Sequence, residues 1–177
     1  PKKPMIRQLA RQLNEKSNRQ VLYVARPCQY PEFTIAKCRV SDWTTERFSN
    51  RNVKALIDEI SYQIPSASKI TIIGYSGGGV MALQVAPSLV PNFALEKIVL
   101  LGTPVDVKKW TERHGFTDIN LHNYRAKLER LKTLSVPVTA IRGGLDELVT
   151  KPDLEIGREI GLIIKEITIK NATHEDI

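Results

Sequence analysis

Long apolar runs, cysteine and histidine are all scarce in this sequence of 177 residues, and each scarcity excludes a class of protein. No apolar run approaches the roughly 18–20 residues that a membrane-spanning helix requires, so no transmembrane segment is predicted. The first four residues, Pro-Lys-Lys-Pro, lack the apolar core of a signal peptide. Two cysteines and three scattered histidines offer no zinc-ligand spacing, and we predict no metal and no other cofactor.

The excess of positive charge is moderate and is spread along the chain. Lys and Arg number 26 against 19 Asp and Glu, which gives a net charge of +7. A nucleic-acid partner would need clustered positive charges with stacking aromatic residues between them. The nearest approach to a patch is the first predicted helix, where Arg7 and Arg11 share a face. A solvated basic surface explains the pattern better, so we predict no nucleic-acid partner.

The two cysteines, Cys28 and Cys38, lie on either side of a short segment and leave two interpretations open. In an oxidising compartment they would close a disulfide, and the protein would then be exported, for example to the periplasm. In a reducing compartment they would remain two free thiols of a cytoplasmic protein.

Short apolar runs alternate with amphipathic segments along the whole sequence. The runs predict buried strands, and the segments with apolar residues every three to four positions predict helices. The alternation is typical of a mostly parallel sheet with helices on both faces, so the predicted class is α/β, with one domain over residues 1–177. The predicted strands are residues 21–25, 69–73, 98–101, 136–141 and 163–169, and the predicted helices are residues 5–16, 45–64, 80–89, 121–134 and a last one from 152.

A glycine-rich turn follows the predicted strand 69–73. Residues 74–78 read G-Y-S-G-G, a G-x-S-x-G motif between a strand and a helix of small residues, which is the context of a nucleophile elbow. We expect Ser76 at the tip of the turn, with the glycines two before and two after it leaving room for strand and helix to pass closely. The amide of Gly77 would face a developing oxyanion. The alternative is an anion-binding glycine loop, although the turn lacks a Walker lysine.

A serine nucleophile needs a histidine base that is itself oriented by a carboxylate. Asp146 follows the predicted strand 136–141, and His174 follows the predicted strand 163–169. Because the carboxyl ends of parallel strands meet at one edge of a sheet, we expect both side chains near Ser76. These three residues form the predicted triad. The alternatives are Asp106 and Glu147 for the acid, and His114 and His122 for the base.

Two aromatic residues and one insertion are predicted to shape the substrate site. Tyr75, which precedes Ser76, and Trp110 are candidates for contact with substrate, and the alternative for Trp110 is a packing role. The loop and helix at about 105–134 lie between two predicted strands. We expect this segment to form a small cap-like insertion that controls access of the acyl group.

A resemblance to a known family extends over essentially the whole chain. It is carried by the motifs R-P-C-Q-Y at residues 26–30 and G-Y-S-G-G at residues 74–78, and by the later Cys38. Further residues of the same pattern are Trp43, Arg47-Phe48, Trp110-Thr111 and His114-Gly115. The chain resembles the α/β-hydrolase superfamily and, within it, a group of bacterial serine hydrolases. The resemblance implies the α/β-hydrolase fold and the same triad. It does not imply a substrate, because the superfamily acts on esters, peptides, lipids and other acyl compounds.

The sequence departs from that superfamily at its start. The second oxyanion amide of the superfamily comes from a loop upstream of the first helix, and this chain begins at that helix, without an initiator methionine. We therefore expect the first strands and that loop to lie in a preceding segment. The predicted function is an esterase-like serine hydrolase that acts on a small-molecule acyl substrate. The alternative is a non-catalytic binding module on a hydrolase-like fold.

Overall fold

A parallel four-stranded sheet organises the chain. The computed structural model describes residues 5–30 and 38–177. The strands are β1 (Lys69–Tyr75), β2 (Ala94–Leu101), β3 (Val138–Gly143) and β4 (Ile164–Ile169). They lie side by side in chain order, and every neighbouring pair is parallel. All four carboxyl ends therefore lie along one edge of the sheet, where open α/β sheets bind ligands.

Six α-helices in the described residues accompany the sheet. They are α1 (Met5–Lys16), α2 (Asn50–Gln63), α3 (Gly77–Leu89), α4 (Val107–His114), α5 (Tyr124–Thr133) and α6 (Glu155–Glu159). Short 3-10 turns occupy Val40–Asp42, Lys151–Leu154 and His174–Asp176. The predicted α/β class, with a parallel sheet covered by helices, is confirmed.

Helix α3 is the centre of the core. It packs against β1 and β2 on one side and against α2 and α5 on the other. Because it is surrounded, its sequence is apolar on all faces, and Val80, Leu83 and Leu89 are completely buried. Helix α5 reaches the same core, since Leu128 and Leu131 are also completely buried.

The structure differs from the predicted elements in two places: one predicted strand does not form, and one helix was not predicted. Residues 21–25, predicted as a strand, form no strand, and Leu22 is 44% exposed. A strand needs a ladder partner, and none of the four described strands pairs with this run. Helix α4 was not predicted, because only Val107 and Thr111 of its eight residues are buried and the apolar pattern is weak.

Cys28 and Cys38 form a disulfide, the first of the two states considered for the cysteines. Residues 31–37, in the irregular stretch expected between them, lie outside the described residues. The buried carboxylate of Asp42 holds the nearby chain in place. It accepts hydrogen bonds from the backbone N–H of Arg39 at 2.8 Å and from Arg51 Nη2 at 2.6 Å. These bonds link the residue next to Cys38 to helix α2.

Because the Arg39 amide and the Arg51 guanidinium lower the pKa of Asp42, the folded protein favours its charged form. A carboxyl with a lowered folded pKa contributes stability above its unfolded pKa of about 3.9. That contribution is lost as the pH falls through the lower, folded pKa. We expect Asp42→Asn to destabilise the fold at about pH 7 and to differ less from the wild type at about pH 3.

Urea unfolding of both proteins across this pH range measures the effect. The matched control is Asp58→Asn, which removes an exposed carboxylate paired with Lys54 and is expected to change stability little at any pH. A stability difference for Asp42→Asn that stays constant across this range would contradict the assignment.

Strand β1 and helix α3 pass unusually close to one another at the glycine-rich turn. A Cβ atom added to Gly74 would lie 2.5 Å from Gly79 Cα, and one added to Gly79 would overlap the side chain of Thr103. A Cβ atom at Gly78 would meet nothing within 4 Å. The expected role of Gly74 is therefore confirmed, whereas the expectation for Gly78 is wrong, because the close contact falls one residue later, at Gly79.

Gly74→Ala is expected to destabilise the protein by about 2 kcal/mol or more, because the added methyl group meets backbone that cannot move aside. Gly78→Ala is the matched control and is expected to be neutral or stabilising by up to about 1 kcal/mol, since Ala favours helix over Gly. Chemical denaturation of the two variants checks the difference. Equal stabilities would show that the turn tolerates a side chain at both positions.

Candidate active site

Ser76 occupies the tip of the turn between β1 and α3 in a conformation that serine rarely adopts. Its φ is 50° and its ψ is −122°, and its backbone N–H donates to the carbonyl of Leu101 at 2.7 Å. A non-glycine residue held in such a region costs about 1–3 kcal/mol and persists only where its surroundings impose it. Here the close packing of β1 on α3 imposes it, and the hydroxyl-bearing side chain stays partly exposed.

Asp146 and His174 are hydrogen-bonded to each other. His174 Nδ1 lies 2.8 Å from Asp146 Oδ2, and the carboxylate is completely buried. Its other oxygen, Oδ1, accepts from the backbone N–H groups of Leu148 at 2.9 Å and Val149 at 2.8 Å. The carboxylate is thus fixed by the turn that follows β3. An ionised carboxylate accepts the proton on Nδ1, which leaves Nε2 of the imidazole as the basic nitrogen.

The ring of His174 lies against the end of β1. The Tyr75 hydroxyl donates to the backbone carbonyl of His174 at 3.1 Å, and the two ring centroids are 5.2 Å apart. Since Tyr75 immediately precedes Ser76, the Asp146–His174 pair lies beside the turn that carries Ser76. No hydrogen bond joins the Ser76 hydroxyl to His174 among the described residues.

Tyr75, a candidate for contact with substrate, contacts His174. Burial, followed by the negative charges of Glu175 and Asp146, raises the pKa of Tyr75 above its usual value. The phenol therefore stays protonated near neutral pH, which keeps its hydroxyl available as the donor to His174.

Three glycines that the sequence did not identify as site residues make room for His174. Gly102, at the end of β2, has a φ of +50°, and a Cβ atom there would lie 2.9 Å from His174 Cε1. A Cβ atom at Gly143 would overlap the carbonyl of Ala172, and one at Gly144 would overlap that of Lys170. These glycines let the segment before His174 cross the ends of β2 and β3. In the sequence, the only feature that marked these glycines was their position at the end of a strand or directly after it.

A small cleft of about 50 Å³ opens beside Ser76. Gly77 lines it, and as the first residue of α3 its N–H has no partner within the helix. The cleft is further lined by Arg47, Phe48, Val80, Pro104, Val107 and Trp110. Trp110 was predicted here from the sequence, whereas Arg47 and Phe48 were not predicted as site residues.

Helix α4 is hydrogen-bonded to the loop that carries Asp146. The carbonyl oxygen of Leu148 accepts from Trp110 Nε1 at 2.7 Å and from Arg113 Nη2 at 3.1 Å. His114 Nε2 lies 3.0 Å from the same oxygen. Because Leu148 also donates its N–H to Asp146, one residue links the wall of the cleft to the carboxylate.

The alternative acids and bases have other surroundings. Asp106 caps helix α4 by accepting from the backbone N–H of Lys109 at 3.1 Å. Glu147 and His122 are exposed, and His114 contacts the aromatic ring of Trp110. Only Asp146 and His174 of the candidate acids and bases form the expected acid–base pair in the described part of the chain.

Neither a metal site nor a membrane span is found in residues 5–30 and 38–177. These residues contain no group of three or more His, Cys, Asp or Glu side chains placed to hold a metal ion. None of their helices is long and apolar enough to cross a bilayer.

Solved structures of α/β hydrolases share this architecture. An esterase from Mycobacterium tuberculosis has a TM-score of 0.55 at 15% identity, over 71% of this chain and 60% of that one. The esterase domain of a Rhodothermus marinus protein has a TM-score of 0.50 at 18% identity, over 73% and 62%. Mouse alpha/beta hydrolase domain-containing protein 10 has a TM-score of 0.52 at 14% identity, over 82% and 67%.

These similarities establish that the chain has the α/β-hydrolase fold, as the sequence predicted. The chain spans about 60% of the length of the two esterases. No protein-family model matches the sequence, and no curated protein matches it. At identities of 14–18% the similarity concerns the fold, and the chemistry must be argued from the site itself.

Asp146→Asn is expected to remove the hydrogen bond that orients the imidazole, because an amide nitrogen in place of Oδ2 cannot accept the Nδ1 proton. In proton NMR, the downfield signal of the His174 Nδ1 proton should be present in the wild type and lost in this variant. Glu147→Gln changes the exposed neighbouring carboxylate and serves as the control, with the signal retained. An unchanged signal in Asp146→Asn would mean that the carboxylate does not hold the ring.

Proposed function

We propose that the protein is a serine hydrolase, an esterase-like enzyme that cleaves ester or related acyl bonds of small-molecule substrates. The observation that carries the proposal is the buried Asp146–His174 pair at the carboxyl edge of the sheet, beside a serine in a strained turn. A buried carboxylate and a histidine whose ring it orients are the parts that activate a serine hydroxyl.

In the proposed reaction, the Ser76 hydroxyl attacks the carbonyl carbon of the substrate while His174 Nε2 takes its proton. Asp146 holds the ring and stabilises the imidazolium that forms. The tetrahedral intermediate expels the alcohol, which receives the proton from His174, and an acyl-enzyme remains. Water then attacks this ester, with His174 again acting as base, and the acid product leaves with Ser76 restored.

Gly77 supplies an oxyanion donor in this proposal. Its N–H stands at the positive end of the α3 dipole, where it would stabilise the charge that develops on the carbonyl oxygen. Removing one such donor typically lowers the rate by about 10²–10³-fold.

The cap-like insertion at about 105–134 contains two helices with different surroundings. Helix α4 brings Val107 and Trp110 to the cleft, whereas α5 packs into the main core against α3. We propose that the part around α4 limits access to Ser76.

Ser76→Ala is expected to abolish covalent labelling by a fluorophosphonate probe, because in this proposal Ser76 carries the hydroxyl that His174 activates. Mass spectrometry of the labelled wild-type protein, followed by peptide mapping, locates the modified residue. The control variant is Ser61→Ala, which changes an exposed serine of helix α2 and should label normally. Labelling that persists in Ser76→Ala would show that the nucleophile lies elsewhere.

A second candidate is a non-catalytic binding module, favoured by the lack of a hydrogen bond between Ser76 and His174 in the described residues. Turnover of para-nitrophenyl acetate by the complete protein distinguishes the two. The hydrolase proposal expects turnover that falls at least 10³-fold in Ser76→Ala. Equal, near-background rates for the wild type and Ser76→Ala would favour the binding module.

The disulfide between Cys28 and Cys38 supports an exported location, because such bonds persist in oxidising compartments. Peptide mapping without reductant, on protein taken from separate cell fractions, tests this location. Finding the protein only in the cytoplasm with free thiols would contradict it.

A further inference from the structure

Arg47 is the only charged residue among the described residues that line the cleft beside Ser76. Its position relative to the proposed reaction centre is fixed by its neighbour. The ring of Phe48 lies over Gly77, so close that a Cβ atom at Gly77 would be 3.2 Å from Phe48 Cζ. The Arg47 guanidinium carbon lies 5.5 Å from the centre of the same ring. A cation is therefore held one aromatic ring away from the proposed oxyanion donor.

The guanidinium of Arg47 has no protein counter-ion in the described part of the chain. Its Nε atom is buried without a hydrogen-bond partner. The buried carboxylate of Asp42 is already engaged by Arg39 and Arg51. Burial lowers the pKa of Arg47, which shows that its environment disfavours the charge.

A second arginine adds to the positive potential. Arg26 is partly buried, and its Nη1 donates to the backbone carbonyl of Asp42 at 2.8 Å. Burial and then the charge of Arg47 lower the pKa of Arg26, so the two cations lie close enough to repel each other. The charge of Asp42 acts in the opposite direction on Arg26 and raises its pKa, whereas burial of Arg47 is not offset by any described carboxylate, so an anion in the cleft would stabilise Arg47. Arginine is also the side chain best suited to hold a carboxylate or phosphate by paired hydrogen bonds.

We infer that Arg47 binds an anionic group of the substrate, a carboxylate or a phosphate, beside the carbonyl that Ser76 attacks. The inference rests on the proposed function and adds the substrate class. The substrate is an ester or related acyl compound that carries a negative charge close to the bond that is cleaved. Arg26 reinforces the attraction without lining the cleft, and Phe48 keeps the guanidinium in place.

Matched ester pairs test the inference on the complete protein. The charge lies on the leaving group in para-acetoxybenzoate and in para-acetoxyphenyl phosphate, and each is compared with neutral phenyl acetate. It lies on the acyl group in mono(para-nitrophenyl) adipate, which is compared with neutral para-nitrophenyl hexanoate. The wild type is expected to prefer the charged ester in at least one comparison, by about 10- to 100-fold in kcat/KM, the range that charge-assisted hydrogen bonds provide. The phosphate and carboxylate arms show which anion is recognised.

Arg47→Gln is expected to remove this preference, and Arg47→Lys to retain part of it, because lysine keeps the charge but not the paired hydrogen bonds. The ratio of kcat/KM values does not depend on the folded fraction, since both esters meet the same preparation. The control is Arg125→Gln, which changes an exposed arginine of helix α5 and should leave the ratio unchanged.

The outcomes separate the two proposals. No preference in any comparison, or a preference unchanged in Arg47→Gln, would overturn the role of Arg47 while leaving the hydrolase proposal intact. Hydrolysis that is as fast in Ser76→Ala as in the wild type would overturn the proposed function itself.

Discussion

The close approach of strand β1 to helix α3 is the constraint on which the rest of the site depends. With no Cβ atom at Gly74 or Gly79, the chain reverses direction within a few residues and places Ser76 in a strained conformation at the carboxyl edge of the sheet. The same turn begins α3, the most buried helix, so its geometry is anchored by the core. Thr103 fills the space left by Gly79, which couples the end of β2 to the turn.

A second set of contacts brings the distant parts of the site to that edge. Asp146 is held by backbone N–H groups of its own turn, and it in turn holds His174. The carbonyl of Leu148 ties this turn to α4, which forms one wall of the cleft. Three segments far apart in the chain therefore share one hydrogen-bonded unit, and displacement of any one would move the other two.

The electrostatics of the cleft differ from those of the surface. Most charged residues are exposed and paired or solvated, and they contribute little to stability. Arg47 instead lies partly buried, with no counter-ion among the described residues. The carboxylate of the nearby Asp42 is bonded to Arg39 and Arg51 and holds the disulfide-bearing segment. Such an arrangement is unfavourable for the unliganded fold and is typical of residues kept for recognition.

The sequence by itself determined the α/β class, the serine turn and the chain positions of Asp146 and His174, because strand and helix periodicities and the carboxyl-edge rule depend on local patterns and order. The tertiary structure alone decided which groups touch. It gave Tyr75 a contact with His174, made Gly102 a site residue and left residues 21–25 without a strand partner. It also joined the two cysteines and placed Arg47 in the cleft without a counter-ion among the described residues. Pairing, close approach and burial arise between distant segments, and no local pattern encodes them.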